Sequence, residues 1–138
     1  MFGIIIGAHG DFGEALKKTA EMIAGEQEFL LAAGIYEGEG PSDILKKYED
    51  AIKTLNERGA NNRIIFLNDL FGGSPYNAAC RLVAKNDDYG IVTGANLPMV
   101  LELLNEELVE NMSVKELIEK CRDVGELGVQ IFHKELVG

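Results

Sequence analysis

The chain has 138 residues, of which 46% are hydrophobic and 26% are charged, and its formal net charge is −10 at pH 7. A chain of this length fits one domain that needs no disulfide or structural metal, since it buries about 68–70% of its unfolded surface. The negative charge argues against nucleic acid or an anionic membrane as the main partner, because both require basic patches.

The cysteines and the apolar runs indicate the cellular compartment of the protein and whether it enters a membrane. Cys80 and Cys121 lie far apart, outside any Cys-x-x-Cys or Cys/His ligand spacing, and both fall in helical patterns. This favours small apolar core residues over redox or metal-binding ones. No basic segment precedes Phe2, and no apolar run approaches the roughly 18 residues of a membrane span. We therefore expect a cytoplasmic protein without direct membrane insertion.

The first half of the chain predicts two strand–helix pairs. Each predicted strand is a short apolar run, and each predicted helix has apolar residues on one face. Asp11 is the expected N-cap of the first helix and Glu14 completes a capping box, while Gly25 is placed to end that helix. The predicted bounds are strands over residues 2–6 and 28–35, and helices that end near residues 25 and 58.

The second half repeats this alternation and adds two helices. Ser74 is the predicted N-cap and Pro75 the first residue of the third helix, where the missing N–H of proline costs nothing. Ser113 and Glu116 form another capping box ahead of the last helix. The predicted bounds are strands over residues 63–67 and 89–93, and helices that end near residues 84, 104 and 125. Residues 129–133 fit either a short strand or a helical turn.

The alternation of strands and helices indicates right-handed βαβ units and therefore a parallel sheet. We predict a single α/β domain over residues 1–138, with a core over about residues 1–125 and a C-terminal strand or tail over residues 126–138. The fold is expected to be doubly wound, with a mainly parallel sheet of order 2-1-3-4 and helices on both faces.

His9 and Asp69 are the candidate catalytic residues. In such a sheet the crevice opens at the carboxyl edge where the strand order reverses, between the first and third strands, and the loops that meet there carry these two residues. An aspartate that accepts a hydrogen bond from Nδ1–H fixes the imidazole tautomer and leaves the Nε2 lone pair free to attack. We predict that His9 receives and hands on a phosphoryl group and that Asp69 orients it.

The same loops predict an anion site. Helices begin after His9 and near Ser74, and the free N–H groups and positive dipole ends of helix N-termini suit a phosphoryl group. Glycine lets the backbone come close to the transferred group, and a serine hydroxyl adds a donor. Purely structural roles in turns and caps are the alternative for these residues. The predicted phosphate-binding residues are Gly10, Gly72, Gly73 and Ser74.

Other chemistries fit the sequence less well. The chain has no Gly-x-x-x-x-Gly-Lys-[Ser/Thr] motif, so ATP is not the expected phosphoryl source, and we expect neither a metal nor a cofactor. A receiver-type phospho-aspartate at Asp69 would need an acidic pair after the first strand, where Ala8 and His9 stand. Asp11 is expected to cap a helix rather than bind a metal, and His133 to be exposed and inert.

Four segments resemble the mannose-family enzyme IIA of the bacterial sugar phosphotransferase system, which includes mannose, fructose and sorbose types. They follow the order and spacing of that family over roughly residues 2–125. The Asp-x-x-Gly-Gly-Ser-Pro-x-Asn stretch from Asp69 to Asn77 is the most specific of them. The segments are residues 6–10, 19–26, 69–79 and 94–99.

The resemblance implies that HPr phosphorylates His9 on Nε2, with Asp69 on Nδ1, and that His9 then phosphorylates a histidine of a IIB domain. Since the chain ends before any IIB domain, IIB is expected to be a separate protein through which this chain associates with the membrane components IIC and IID. The resemblance also suggests a homodimer that exchanges an antiparallel C-terminal strand over residues 129–133. Gly125 and Gly128 would then be flexible approaches to that strand.

Two positions depart from the family pattern. Leu70 stands where some members have a hydroxyl, and Phe71 stands where others have a tryptophan. An apolar docking face for partners is expected around these loops, formed by Phe12, Leu70, Phe71 and Leu97. For Phe12 and Leu97, covering helix ends is the favoured alternative.

Two further functions fit the same chemistry. One is the phosphodonor subunit of a phosphotransferase-dependent dihydroxyacetone kinase, whose first domain is similar. The other is a regulatory module whose binding changes when His9 is phosphorylated. The Gly-Gly-Ser-Pro loop and the single-domain length favour a sugar-uptake carrier over the kinase subunit.

Overall fold

A computed structural model describes residues 1–136, and these form one parallel sheet with helices on both faces. The strands pair in the order β2-β1-β3-β4, and every pair is parallel. The predicted α/β fold and its strand order are therefore confirmed. In chain order the elements are β1 (Gly3–His9), α1 (Phe12–Ala24), β2 (Leu30–Ile35), α2 (Pro41–Glu57), β3 (Ile64–Asn68), α3 (Gly73–Val83), β4 (Tyr89–Thr93), α4 (Leu97–Leu104), α5 (Glu106–Val109), α6 (Val114–Leu127) and a 3₁₀ turn (Lys134–Leu136).

The sheet separates two hydrophobic cores. Successive side chains of a strand point to opposite faces, so Ile4 and Ile6 join the core under α1, α4 and α6, while Ile5 joins the core under α2 and α3. Because the central strands are covered on both faces, they are almost continuously apolar. Phe66 and Tyr48 pack in the second core with ring centroids 5.0 Å apart.

Strand β1 runs three residues beyond its predicted end, to His9. Its two neighbours continue alongside it, since His9 is the register partner of Ile35 in β2 and Gly7 that of Asn68 in β3. The small residues Gly7 and Ala8 weaken the apolar signal without ending the strand. His9 is therefore fixed by sheet pairing rather than placed in a loose turn.

Asp11 is the N-cap residue of α1 as predicted, but its expected capping box with Glu14 does not form, and the predicted N-cap Ser74 is wrong. Asp11 precedes α1 but makes no side-chain capping bond; its backbone lies at φ −87° and ψ 6°, and its Oδ1 accepts a 2.6 Å hydrogen bond from the Tyr36 hydroxyl instead. Helix α3 begins at Gly73, with Gly72 as its N-cap, so Ser74 and Pro75 are the second and third helical residues. Pro75 still lies in the first turn, where its missing N–H is not needed.

The capping box before α6 is confirmed. Ser113 Oγ accepts from the N–H of Glu116 at 3.1 Å, and Glu116 Oε1 accepts from the N–H of Ser113 at 3.0 Å. A further cap that was not predicted begins α4, where Asn96 Oδ1 accepts from the N–H of Met99 at 3.1 Å.

The C-terminal region differs from expectation at its glycines. Helix α6 continues through Gly125 to Leu127, and Gly125 is buried against Met99, whose Cε would lie 2.5 Å from an added Cβ. Gly128 is similarly close to Pro98, at 2.7 Å. Both glycines pack closely against the start of α4. Gly125 lies within α6, so its expected role as a flexible approach is wrong, whereas the role expected for Gly128 stays a prediction. In this single chain, residues 129–133 form neither strand nor helix.

Candidate functional site

His9 and Asp69 meet at the carboxyl edge of the sheet. His9 is the last residue of β1, Asp69 directly follows β3, and these two strands are neighbours. Asp69 Oδ2 lies 2.8 Å from His9 Nδ1 and accepts a second hydrogen bond from the His9 backbone N–H at 3.0 Å. Asp69 Oδ1 accepts from the N–H of Leu70 at 2.9 Å. The predicted proximity of these residues is found, with the carboxylate held at three points.

The charge of Asp69 fits this pairing. Burial raises the pKa of Asp69, whose side chain is 16% exposed, but the hydrogen bonds from His9 and from the Leu70 N–H outweigh burial and hold that pKa below its ordinary value. Asp69 is therefore an ionised acceptor, and His9 Nδ1 is the donor. The lone pair of a neutral imidazole then lies on Nε2.

The His9 ring is open to solvent and lies beside the start of α3. Its side chain is 51% exposed. A Cβ added to Gly73 would lie 3.5 Å from His9 Cε1 and 3.8 Å from His9 Nε2, so the first residue of α3 borders this side of the ring. Gly73 has φ +81°, a conformation that side chains strongly disfavour.

The other predicted phosphate-binding residues also lie near the His9 ring, but their backbone groups are not equally free to bind an anion. Gly72, at φ +91°, and half-buried Ser74 flank Gly73 at the N-terminus of α3. Gly10 forms the turn after His9 with φ +57°, and its N–H donates to the Ile35 carbonyl at 2.8 Å. The Gly10 N–H is thus already used by the sheet edge, whereas α3 starts without a side-chain cap.

Exposed apolar side chains lie on the two loops that carry His9 and Asp69. Leu70 is 59% exposed and Phe71 is 81% exposed, and Phe71 packs on Tyr76 with ring centroids 4.9 Å apart. Phe12, at the start of α1, is also exposed, whereas Leu97 packs partly buried against the core. Three of the four residues predicted to form a docking face are therefore accessible.

One polar cluster at the edge of the site escaped prediction. The Tyr36 hydroxyl donates to Asp11, and Lys47 Nζ donates to the Gly34 carbonyl at 2.7 Å and to Glu39 at 2.9 Å. The bond to Asp11 raises the pKa of Tyr36. These contacts join β2 and α2 to the turn after His9. No local sequence motif predicts them.

A second missed group lies beneath the site. Asn68 ends the otherwise apolar strand β3 and is fully buried together with Tyr48 of α2. The only sequence signal for it is an amide at the end of a continuous apolar run.

The described residues contain neither a metal-binding cluster nor a membrane-spanning helix. Among residues 1–136, no three His, Cys, Asp or Glu side chains are grouped so that they could hold a metal ion. None of the helices in this part of the chain has both the length and the apolar character needed to cross a bilayer. His133 is exposed, and its Nδ1 accepts from the N–H of Glu135 at 3.1 Å.

Sequence comparison finds relatives along almost the whole chain. Residues 3–122 match the sequence model of a family described as "PTS system fructose IIA component". The "PTS system fructose-specific EIIA component" of Bacillus subtilis is 36% identical over 136 residues, which are 99% of this chain and 90% of that protein. The "PTS system mannose-specific EIIAB component" of Escherichia coli is also 36% identical, over 127 residues that cover 92% of this chain but 38% of the longer protein.

Solved structures show the same similarity. The crystal structure of phosphotransferase system component EIIA from Streptococcus agalactiae superposes with a TM-score of 0.83 at 27% sequence identity. The superposition covers 96% of this chain and 98% of that structure.

Proposed function

This chain belongs to the mannose-type enzyme IIA family of the bacterial sugar phosphotransferase system, and from that membership we propose that His9 is its phosphoryl-carrying residue. In the proposed cycle His9 Nε2 accepts phosphate from phospho-HPr and passes it to a histidine of a IIB domain. The observation that carries the proposal is the exposed imidazole whose Nδ1 lies 2.8 Å from a part-buried, ionised carboxylate.

The transfer is a direct displacement between two imidazoles. The bond from phosphorus to the HPr nitrogen breaks as the bond from phosphorus to His9 Nε2 forms, and the Nδ1 proton of His9 stays in its hydrogen bond with Asp69. The phosphorylated ring carries positive charge, which the adjacent carboxylate stabilises. In the second step a IIB nitrogen attacks the same phosphorus atom and His9 leaves as neutral imidazole.

The start of α3 is suited to hold the phosphoryl oxygens. Gly73 borders His9 Nε2, and the uncapped first turn of α3 offers backbone N–H groups and the positive end of the helix dipole. Gly72 and Ser74 flank this point, and the Ser74 hydroxyl would add a donor. We assign Gly10 a shaping role in the turn after β1, because its N–H is occupied by Ile35.

Partner docking is assigned to the exposed apolar side chains beside His9. Leu70 and Phe71 project from the loop that follows β3, and Phe12 lies at the start of α1. Docking there would cover the His9 ring and exclude water from the reacting atoms, which strengthens the contact of Asp69 with the charged imidazole.

A homodimer with exchanged C-terminal strands remains part of the proposal. Val129, Ile131 and Phe132 are each at least 74% exposed in the single chain. A groove of about 520 Å³ lies beside β4, which is an edge strand, and is bordered by α6. An extended segment from a second copy can pair with that edge and bury its apolar side chains in the groove.

The experiment that tests the carrier role uses HPr and its phosphorylating enzyme. After incubation with both, acid-labile phosphate is mapped by mass spectrometry and is expected on His9 alone. His133 is an internal control, since it is exposed but has no carboxylate partner on its ring among the described residues. His9→Ala should take up no phosphate, and uptake by that variant at the rate of the unsubstituted protein would refute the proposal.

A further inference from the structure

A buried polar network lies directly beneath the candidate site. Asn68 Nδ2 donates to the Gly7 carbonyl at 2.8 Å and to the Tyr48 hydroxyl oxygen at 3.2 Å. The Tyr48 hydroxyl in turn donates to the Pro75 carbonyl at 2.9 Å. Asn68 and Tyr48 are both completely buried, although they lie on different elements, β3 and α2.

The network joins the three segments that carry the site. Asn68 is the residue before Asp69, Gly7 lies two residues before His9, and Pro75 lies two residues after Gly73. A single hydroxyl–amide pair therefore ties the ends of β1 and β3 to the first turn of α3. The pair therefore adds side-chain contacts to the sheet pairing that already fixes His9, and it links both strands to the start of α3.

The absence of a side chain at Gly7 leaves room for the contact between Tyr48 and Asn68. A Cβ at Gly7 would lie 1.9 Å from the Tyr48 hydroxyl oxygen, so the hydroxyl reaches Asn68 only because residue 7 is glycine. Burial raises the pKa of Tyr48, which keeps its hydroxyl a donor. Asn68 Oδ1 has no hydrogen-bond partner among the described residues. A buried amide oxygen without a partner costs stability, so core packing alone does not account for an asparagine at this position.

We propose that Tyr48 and Asn68 are positioning residues for phosphoryl transfer, which set the distance and angle between His9, Asp69 and the start of α3. The inference rests on the proposed function of His9. Neither residue touches the phosphoryl group, and both act through the backbone of the residues that do. A misplacement of reacting groups by about 1 Å can cost on the order of 100-fold in rate.

The test compares two variants that each lose one tyrosine hydroxyl, one beneath the site and one at the opposite end of the sheet. Tyr48→Phe removes the hydroxyl beneath the site. Tyr89→Phe is the matched control, because Tyr89 packs in the same core and its hydroxyl bonds to Asn62 at the opposite end of the sheet. Stopped-flow transfer from phospho-HPr should show kcat about tenfold lower for Tyr48→Phe, with KM changed less than about twofold. The control should keep both constants within about twofold of the starting protein.

A second measurement does not depend on phosphate at all. Nitrogen-15 NMR of the His9 imidazole reports which ring nitrogen carries the proton. In the unsubstituted protein and in Tyr89→Phe we expect Nδ1–H, whereas Tyr48→Phe should show a mixture of the two tautomers. Asn68→Ala should repeat the result for Tyr48→Phe, since it removes the other half of the pair.

The two readouts separate the failure of this inference from failure of the proposed function. If the unsubstituted protein takes no phosphate, the carrier role is wrong, and the His9 tautomer still decides whether the network positions the ring. If Tyr48→Phe and Tyr89→Phe lose similar stability and match each other in rate and in tautomer, the pair is merely structural and the inference is overturned.

Discussion

At the scale of single residues, the proposed phosphoryl-carrying role of His9 depends on the carboxylate of Asp69. One oxygen of that carboxylate contacts both the ring and the backbone of His9, so the pairing fixes ring orientation as well as charge. The topology of a parallel sheet was enough to predict this proximity, because both residues end neighbouring strands. The contacts of Tyr36 and Tyr48 were not predictable, since they depend on side-chain directions between elements far apart in sequence.

Replacing the carboxylate by an amide should impair transfer without unfolding the protein. In Asp69→Asn the amide can donate to His9 Nδ1 and select the wrong tautomer, which we expect to slow single-turnover transfer by about 10²- to 10⁴-fold. Asp11→Asn, on the turn after His9, is the control and should transfer at nearly the original rate. An Asp69→Asn protein with full activity would show that the carboxylate does not orient His9.

The lowered pKa of Asp69 also predicts a pH dependence of stability. A carboxyl whose pKa is lower when folded than when unfolded adds stability that is fully present above the unfolded pKa, about 3.9, and is lost as pH falls through the folded pKa. Urea unfolding should therefore show the unsubstituted protein more stable than Asp69→Asn at pH 6, with the difference shrinking below about pH 4. A difference that stays constant down to pH 2 would contradict the ionised pairing.

Substitution of Gly73 should lower both the stability of the protein and the rate of phosphoryl transfer, for different reasons. Gly73→Ala places a methyl group 3.5 Å from His9 Cε1 and forces a side chain into φ +81°, at a cost of about 1–2 kcal/mol in the free energy of unfolding. Gly59→Ala is the control, because Gly59 has φ +110° with open space around it, at the other end of the sheet. Both variants should lose similar stability in urea, but only Gly73→Ala should slow transfer. Equal transfer rates in the two variants would remove Gly73 from the site.

At the scale of elements, helix starts show where local sequence determines structure and where it does not. Ser113 and Glu116 satisfy one another within four residues, so the sequence alone predicted their bond. Asp11 and Glu14 have the same spacing, but the Asp11 carboxylate accepts a hydrogen bond from the hydroxyl of Tyr36, which lies 25 residues away in sequence. Helix α3 starts one residue before the predicted N-cap because two consecutive glycines, Gly72 and Gly73, adopt positive φ.

These two caps should differ in their contribution to stability. Ser113→Ala removes a real capping bond and should lower the free energy of unfolding by about 1 kcal/mol. Asp11→Ala removes only an exposed hydrogen bond and should change it by about 0.5 kcal/mol or less. Urea denaturation of the two variants under identical conditions makes the comparison. A larger loss for Asp11→Ala would indicate that it caps α1 in solution.

At the scale of the whole molecule, the strand order follows from the handedness of βαβ connections and was readable from the alternation of apolar runs. The oligomeric state was not, because residues 129–133 pair with no strand within residues 1–136 of one chain. Val129, Ile131 and Phe132 are exposed, and Val129 borders the groove beside β4.

Removing that segment should abolish the proposed dimer. Light scattering should report a dimer for the full chain and a monomer for a chain that ends at Gly128, directly after α6. Ile131→Asp in the full chain keeps the length but places a charge in the proposed strand, and it should also yield a monomer. Strand exchange would be ruled out if the full chain were itself monomeric, or if the shortened chain remained a dimer.

The exposure of Phe71 allows an optical measurement of binding between this chain and its proposed phosphate donor. The sequence contains no tryptophan, so Phe71→Trp would introduce a single indole fluorophore at a side chain that is 81% exposed. Its emission should shift to the blue when a protein covers that loop. A titration followed at this wavelength would then give the affinity of each partner in turn, without radioactive label and without turnover.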